Sequence, residues 1–286
     1  MSTQLKTILK LALSVIIIWL VLRGIDEKLL FVTMQKARPG WLLWAAVWFV
    51  LSKIISAVRF NILLKTENTH LTAGQNLRLY WLGMYYNLLL PGGISGDGYK
   101  IKLLMDTFGT PFKRLFAVTL LDRLGGVIAL GQLCLILAFG IPALRQFWWF
   151  GVLSLLASIP VSLLIYKKLG SALSQVWAKT SLLSLAVQLA QLVATLGIVL
   201  ALGESARWLE YSVLFLVSSV VAMLPLTIGG TGARELTFLW GAGILNIDLE
   251  KAVAIAFLFY LISTAVAFVG IAFSFSNAGL IKVDKS

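Results

Sequence analysis

Long uncharged apolar stretches, separated by short polar segments, dominate the sequence. Five of them have about 20 residues, the length that an α-helix needs to cross a hydrocarbon core roughly 30 Å thick. A shorter stretch, Leu11–Leu22, has lysines before it but no small-residue cleavage site after it, and we interpret it as a retained signal anchor. The longer predicted spans are Gly40–Val58, Leu124–Leu144 with a helix start near Leu115, Gln146–Tyr166, Thr180–Gly203 and Ala252–Ser276.

Two further apolar segments are too short to cross. Leu79–Leu90 has 12 uncharged residues, which extend only about 18 Å as a helix, and a proline–glycine cluster follows it. Tyr211–Leu224 has 14, and after a second such cluster comes Leu236–Ile247 with 12. Proline and clustered glycine end a helix and permit a tight turn. These lengths predict re-entrant or broken helices that are shielded by protein or line a wet cavity.

The predicted fold is therefore an all-α, polytopic membrane protein with about six full crossings and two re-entrant or broken helical hairpins. Each interrupted segment follows two crossings and precedes one, so the single membrane domain divides into similar halves, 1–143 and 144–286. Three crossings per half turn the second half upside down relative to the first. This pattern predicts an inverted repeat, with a binding site at the paired interrupted segments.

Composition excludes several classes of protein. The chain is 59% hydrophobic and only 13% charged, whereas soluble domains carry about 25% charged residues. Its net charge of +12 comes from Lys and Arg between apolar runs, which argues against nucleic-acid binding. One cysteine, Cys134, excludes an intrachain disulfide, and one histidine, His70, argues against a metal site or a histidine-based triad. We predict no metal, no cofactor and no catalytic residue.

Charge bias predicts the orientation in the membrane. With the N-terminus in the cytoplasm, 14 Lys and Arg residues fall on the cytoplasmic side and 8 on the other side. The cytoplasmic set includes Arg59 and Lys100, and the opposite set includes Arg234. Lys53 and Arg123 remain within the membrane, where we expect Lys53 to extend toward Arg59. The bias predicts that both termini are cytoplasmic.

The first glycine-rich motif predicts an anion site. We expect a helix to restart near Ser95 to Asp97, with free N–H groups and a positive dipole end that favour an anion such as a lipid phosphate. The alternative is structural: Asp97 caps the helix and Lys100 extends to the cytoplasm. The candidate lipid- or anion-binding residues of this motif are Asn87, Pro91, Gly92, Gly93, Gly96, Asp97 and Lys100.

Asp122 and Arg123 form the second feature, inside a predicted span. Adjacent residues of a helix do not face each other, so each needs its own partner. Ionisable groups within the membrane are costly and usually face a cavity or another charge. We hypothesise that Arg123 pairs with Asp97. The alternative for both candidates is a structural ion pair that holds helices together.

The second glycine-rich motif should open toward the outer side. We expect its helix to begin near Thr231, with Arg234 placed to bind a phosphate by its two-pronged guanidinium. Glu235 either caps the helix or serves as a proton-coupling carboxylate, and capping is the simpler interpretation. The candidates here are Gly229, Gly230, Gly232, Arg234 and Glu235.

These three motifs, in this order, resemble the membrane domain of the lysylphosphatidylglycerol synthase/flippase family and related bacterial inner-membrane proteins. The resemblance covers nearly the whole chain, although the family often has arginine at position 100 and glycine at position 95. It implies a lipid-flipping or lipid-handling domain in the bacterial inner membrane. Full-length synthases carry a further soluble aminoacyl-transfer domain, for which we expect no room here, so the resemblance does not support aminoacyl transfer.

The leading hypothesis is a flippase-like protein that translocates or handles an anionic, phosphate-bearing lipid by alternating access of the two halves. One alternative is a membrane-embedded transferase acting on lipid-linked substrates, with Asp97, Asp122 or Glu235 as its base. Another is a non-catalytic partner subunit that presents lipid to a lipid- or envelope-modifying enzyme. Membrane lipids are the expected partners, while an enzyme partner and a second copy of the chain stay open.

Overall fold

The computed structural model describes residues 27–89, 95–223 and 232–274. All regular secondary structure in these three ranges is helical. In chain order the helices are α1 (Glu27–Gln35), α2 (Pro39–Lys65), α3 (Ala73–Leu89), α4 (Ser95–Phe108), α5 (Phe112–Ala138), α6 (Trp148–Leu169), α7 (Ser171–Gln175), α8 (Trp177–Ala201), α9 (Trp208–Met223), α10 (Ala233–Leu245), α11 (Leu249–Phe268) and α12 (Ile271–Ser274), with a 3₁₀ helix at Pro142–Phe147.

Five of these helical segments are long and apolar enough to cross a membrane, which confirms the predicted all-α polytopic fold. The predicted N-terminal anchor, Leu11–Leu22, lies outside the described residues. The spans are Pro39–Lys65, Phe112–Ala138, Pro142–Leu169, Trp177–Ala201 and Leu249–Phe273.

One predicted span ends earlier than expected, for a local reason. The span predicted to reach Leu144 ends at Ala138, because Pro142 fixes its backbone and opens a separate 3₁₀ helix. The helix predicted to begin near Thr231 begins at Ala233, within two residues of the prediction. Its N-cap, Gly232, has φ 86°, a left-handed conformation that glycine adopts at little cost.

Contacts between helix termini define two ends of the molecule. We call them the Arg38 end, after the residue that precedes α2, and the Lys65 end, after the last residue of α2. At the Arg38 end, the amide of Arg38 donates to the carbonyl of Ala201, so α2 begins where α8 ends. At the Lys65 end, the hydroxyls of Thr69 and Thr110 lie 2.8 Å apart, which joins the segments after α2 and after α4. The long helices therefore run between these two ends.

Helices α3 and α4 form a hairpin that enters from the Lys65 end. Their arms touch so closely that a Cβ placed on Gly96 would lie 1.9 Å from the carbonyl oxygen of Gly83. Near the inner end, the amide of Gly96 donates to Asn87 Oδ1 at 2.9 Å. Residues 90–94 lie outside the described residues, but these contacts show that α4 turns back against α3, as the predicted break requires.

Helices α9 and α10 form a second hairpin, which enters from the opposite end. Arg207 donates to the carbonyl of Asn246 at 3.1 Å, so the segments before α9 and after α10 meet at the Arg38 end. Farther in, Arg234 of α10 donates to two serine hydroxyls of α9. The two re-entrant hairpins thus approach the centre of the molecule from opposite sides.

Two buried apolar clusters occupy the two ends, and polar residues separate them. Along α2, Phe49 belongs to the cluster at the Arg38 end and Phe60 to the cluster at the Lys65 end. Along α5 the order is reversed, with Leu121 in the Lys65-end cluster and Leu130 in the other. Lys53 and Arg59 of α2, and Asp122 and Arg123 of α5, lie between these positions. The fold therefore places a polar layer near mid-depth, between two dry cores.

The close contact of the first hairpin generates a prediction. Gly96→Ala should destabilise the protein by about 1–3 kcal/mol, because the added methyl group would force the arms apart. Gly98→Ala on the same helix is the matched control, since a Cβ there meets nothing within 4 Å. Thermal unfolding in detergent should show a lower Tm for Gly96→Ala only. Equal Tm values for the two variants would contradict the tight packing of α3 against α4.

Candidate functional site

A cavity of about 330 Å³ lies in the polar layer, where the two hairpins meet the long helices. Its wall draws on α2, α3, α4, α5, α8, α9 and α10. Lys53 on this wall lies near the middle of the 27-residue helix α2, about 20 Å from either helix end. The wall carries five basic side chains and two acidic ones: Lys53, Arg59, Lys100, Arg123, Arg234, Asp97 and Asp122.

Arg59 and Asp122 form a buried ion pair across the cavity wall. Arg59 Nε donates to Asp122 Oδ1 at 2.8 Å, and its Nη1 donates to Ser184 Oγ at 2.8 Å. The side chains of Arg59 and Asp122 are only 5% and 9% exposed. The guanidinium of Arg59 therefore connects α2 with both α5 and α8. Asp122 thus has a partner of its own, separate from that of Arg123, as expected for adjacent residues of a helix.

Asp97 lies between two cations. Lys100 Nζ is 2.8 Å from Asp97 Oδ1, and Arg123 Nε donates to Asp97 Oδ2. The hypothesis that Arg123 pairs with Asp97 is therefore confirmed. The alternative in which Lys100 extends to the cytoplasm is wrong, because its ammonium is buried against Asp97 and lies 4.4 Å from the centre of the Phe60 ring.

Arg234 is held by neutral groups. Its Nη1 lies 3.1 Å from the hydroxyl oxygens of both Ser218 and Ser219. The guanidinium carbon also lies 5.2 Å from the centre of the Phe215 ring and 4.7 Å from that of Phe259. Serine hydroxyls and aromatic faces orient the guanidinium without neutralising it.

Glu235 does not neutralise Arg234 by an ion pair either. Its Oε2 accepts a hydrogen bond of 2.8 Å from the amide of Gly232, which is the N-cap of α10. The capping interpretation of Glu235 is confirmed. This carboxylate is buried at the start of the helix and is not on the cavity wall.

Lys53 also faces the cavity without a carboxylate. Among the described residues, no Asp or Glu oxygen lies within ion-pair distance of its ammonium, which rests 4.4 Å from the centre of the Phe49 ring. Gln188, also on the wall, donates to the carbonyl of Gly126 at 3.3 Å, and its Oε1 has no partner in the described part of the chain. Gln191 lines the cavity as well.

The structure brings together only some of the predicted site residues. Gly96 serves the contact between hairpin arms, while Gly232 and Glu235 form a helix cap. Pro91, Gly92, Gly93, Gly229 and Gly230 lie outside the described residues, so their predicted role stays a prediction. The predicted residues that line the cavity are Asn87, Asp97, Lys100, Asp122, Arg123 and Arg234.

Sequence reasoning missed Lys53 and Arg59 as site residues. Arg59 was assigned to the cytoplasmic side, but it is 4% exposed and reaches across to Asp122. Lys53, Ser56 and Arg59 recur at intervals of three, and this spacing places them along one face of a helix. A polar face on an otherwise apolar span was the available signal.

Comparison with protein families now identifies the class of this domain. The model of the lysylphosphatidylglycerol synthase transmembrane region matches residues 7–170 and, in a second match, residues 167–270. The chain belongs to the lysylphosphatidylglycerol synthase transmembrane family. No curated protein matches the sequence. Family membership and the five apolar spans together establish a membrane-embedded, multi-pass protein, as the resemblance predicted.

The ion pair in this family member generates a second prediction. Asp122→Leu should lower the free energy of unfolding by about 3–5 kcal/mol, because it leaves the buried Arg59 without a counter-charge. The double variant Arg59→Leu with Asp122→Leu should lose much less than the sum of the two single variants. Unfolding in mixed micelles with increasing SDS would measure this coupling.

The exposed pair Arg207 and Glu210 provides the control for this cycle. Arg207 is 48% exposed at a helix start, so the same substitutions there should show coupling of no more than about 1 kcal/mol. If the losses at Arg59 and Asp122 were additive, their coupling free energy would be as small as that of the control pair. That result would contradict a buried pair whose members depend on each other.

Proposed function

We propose that this protein is a flippase-like translocator of anionic, phosphate-bearing lipids. The observation that carries the proposal is the cavity at mid-depth, whose five basic side chains outnumber its two carboxylates. Cations held out of water are costly unless an opposite charge compensates them. A phosphate head group that enters the cavity would supply that charge.

The two hairpins support a route across the protein. One enters from the Lys65 end and carries Asp97 and Lys100, and the other enters from the Arg38 end and carries Arg234. The basic residues of both hairpins line one cavity. A movement of either hairpin would therefore alter access to this cavity from the end at which that hairpin enters. We propose that residues 1–143 and 144–286 are inverted repeats whose relative movement exposes the cavity alternately.

The state of the carboxylates favours translocation over the transferase alternative. A general base needs an accessible oxygen within reach of the proton that it removes. Asp97 is engaged by Lys100 and Arg123, and Asp122 is engaged by Arg59. Glu235 accepts from a helix-terminal amide and does not line the cavity. These contacts support positioning of charge by the carboxylates.

We place the protein in the bacterial inner membrane with both termini in the cytoplasm. Arg59, Lys100 and Arg234 are removed from the charge comparison, because they line the internal cavity. The comparison then becomes 12 basic residues on the cytoplasmic side against 7 on the other, so the bias is kept. This orientation puts the Lys65 end in the cytoplasm.

Removal of a cavity guanidinium should slow lipid movement. In proteoliposomes with head-group-labelled anionic phospholipids, we expect Arg123→Ala and Arg234→Ala each to reduce the rate of movement between leaflets about tenfold or more. The reason is that a hydrogen bond to a charged group contributes about 1.5–3 kcal/mol. Quenching of outer-leaflet label by an impermeant reductant would measure the rate.

Arg145→Ala is the matched control for the loss of one arginine. Arg145 is exposed in the 3₁₀ helix and does not line the cavity, so this variant should keep the original rate. The absence of protein-dependent movement for any anionic lipid would contradict the proposal. Normal rates for both cavity variants would also contradict it.

Single-cysteine labelling would test the orientation. In a Cys134→Ser background, Arg145→Cys should react with an impermeant maleimide in intact spheroplasts, since Arg145 is exposed at the proposed outer side. Lys113→Cys, exposed at the start of α5, should react only after lysis. The reverse pattern would overturn cytoplasmic termini.

A further inference from the structure

The charges on the cavity wall do not balance, and the imbalance can be traced to individual side chains. Arg59 has Asp122 to itself. Lys100 and Arg123 share the one carboxylate of Asp97. With Lys53 and Arg234, the wall carries five basic groups against two acidic ones, which leaves an excess of three positive charges.

The connecting segments of the hairpins do not supply the missing negative charge. Residues 90–94 and 224–231, which lie outside the described residues, contain no charged side chain. Glu235, the acidic residue next to Arg234, is turned toward the Gly232 amide. Within the described residues and these two segments, the excess therefore belongs to the wall itself and points to the charge of the ligand.

We propose that the cavity selects lipids whose head group ends in a phosphomonoester, in preference to phosphodiester lipids and to aminoacylated lipids. A terminal phosphate carries about −1.5 to −2 charge near neutral pH, whereas a phosphodiester carries a single negative charge. A lysylated phosphodiester head group is positively charged and would meet a positive wall. This inference rests on the proposed function for the presence of a lipid in the cavity.

Three of the cations reach the cavity wall from three different helices. Arg234 reaches the wall from α10, Lys53 from α2 and Arg123 from α5, so the cations approach from different helices. Arg234 is oriented by hydroxyls and rings, and Lys53 rests on the Phe49 ring. Neither contact would have to break an ion pair when a phosphate binds.

A second cavity explains why the phosphate would belong to a lipid. It has a volume of about 270 Å³ and shares Lys53, Asn87 and Arg123 with the first. Beyond the shared residues, its wall consists of Phe49, Leu88 and Ala267, together with the hydroxyl-bearing Tyr260, Ser263 and Thr264 of α11. A phosphate among the cations would place its ester-linked chain in this less polar space.

Competition between matched lipids would test the selectivity. The full chain in detergent is mixed with equal amounts of phosphatidic acid and phosphatidylglycerol of the same acyl chains, and native mass spectrometry counts the bound lipids. At about pH 7.5 we expect roughly tenfold more bound phosphatidic acid, because its second negative charge adds an attraction at short range. Lysylphosphatidylglycerol in place of phosphatidylglycerol should compete even less.

Two variants and a pH change identify the cause. Lys53→Met should reduce the preference strongly, and it removes no ion pair formed within the described residues. Lys113→Met, at an exposed site away from the cavity, should leave the preference unchanged. At about pH 5 the preference should shrink, since the phosphomonoester gains a proton with a pKa near 6.

Equal binding of the two lipids, or preference for either phosphatidylglycerol or its lysyl ester, would overturn the inference. Displacement of phosphatidic acid by millimolar inorganic phosphate would instead assign the site to a soluble phosphate and overturn the lipid assignment. Translocation without head-group preference would leave the proposed function standing and remove this inference. Selective binding without translocation in proteoliposomes would leave this inference standing and remove the proposed function.

Discussion

The structure depends on how positive charge is kept inside an apolar protein. Arg59, Lys100 and Asp122 are almost fully withdrawn from solvent, and an ion of this size pays several kcal/mol for such burial even after relaxation. Pairing recovers part of this cost at Arg59 and Lys100. The same requirement fixes the positions of α2, α4, α5 and α8, because their side chains must meet to satisfy one another.

The polar layer also explains why two helices are broken. A continuous span at α3 or α10 would carry its ionisable residues past the cavity and into one of the two apolar clusters. A hairpin instead delivers Asp97 and Lys100 from one end and Arg234 from the other to the same depth. Backbone breaks within a membrane are tolerated where protein or a polar cavity shields them. The cavity and the hairpins therefore require each other.

The candidate site was only partly predictable because the residues of the sequence motifs and the residues that line the cavity overlap only in part. Gly96 and Glu235 belong to recognisable motifs, yet they serve arm packing and helix capping. Lys53 and Arg59 belong to no motif, yet they line the cavity. Arg59 acts through Asp122, which is 63 residues away in the chain, and such a pairing has no local signature.

The sequence by itself determined that the protein lies in lipid, where its spans are and where the two helix breaks fall. The reason is that the length of an apolar run and the effects of proline and glycine act locally along the chain. It also contained the correct pairing of Asp97 with Arg123 as a hypothesis, since an unpaired charge in the membrane is costly. Tertiary structure alone decided that Lys53, Arg59 and Arg234 share one wall. The distances between these side chains depend on how helices far apart in the chain pack together. The excess positive charge of the cavity follows from that packing.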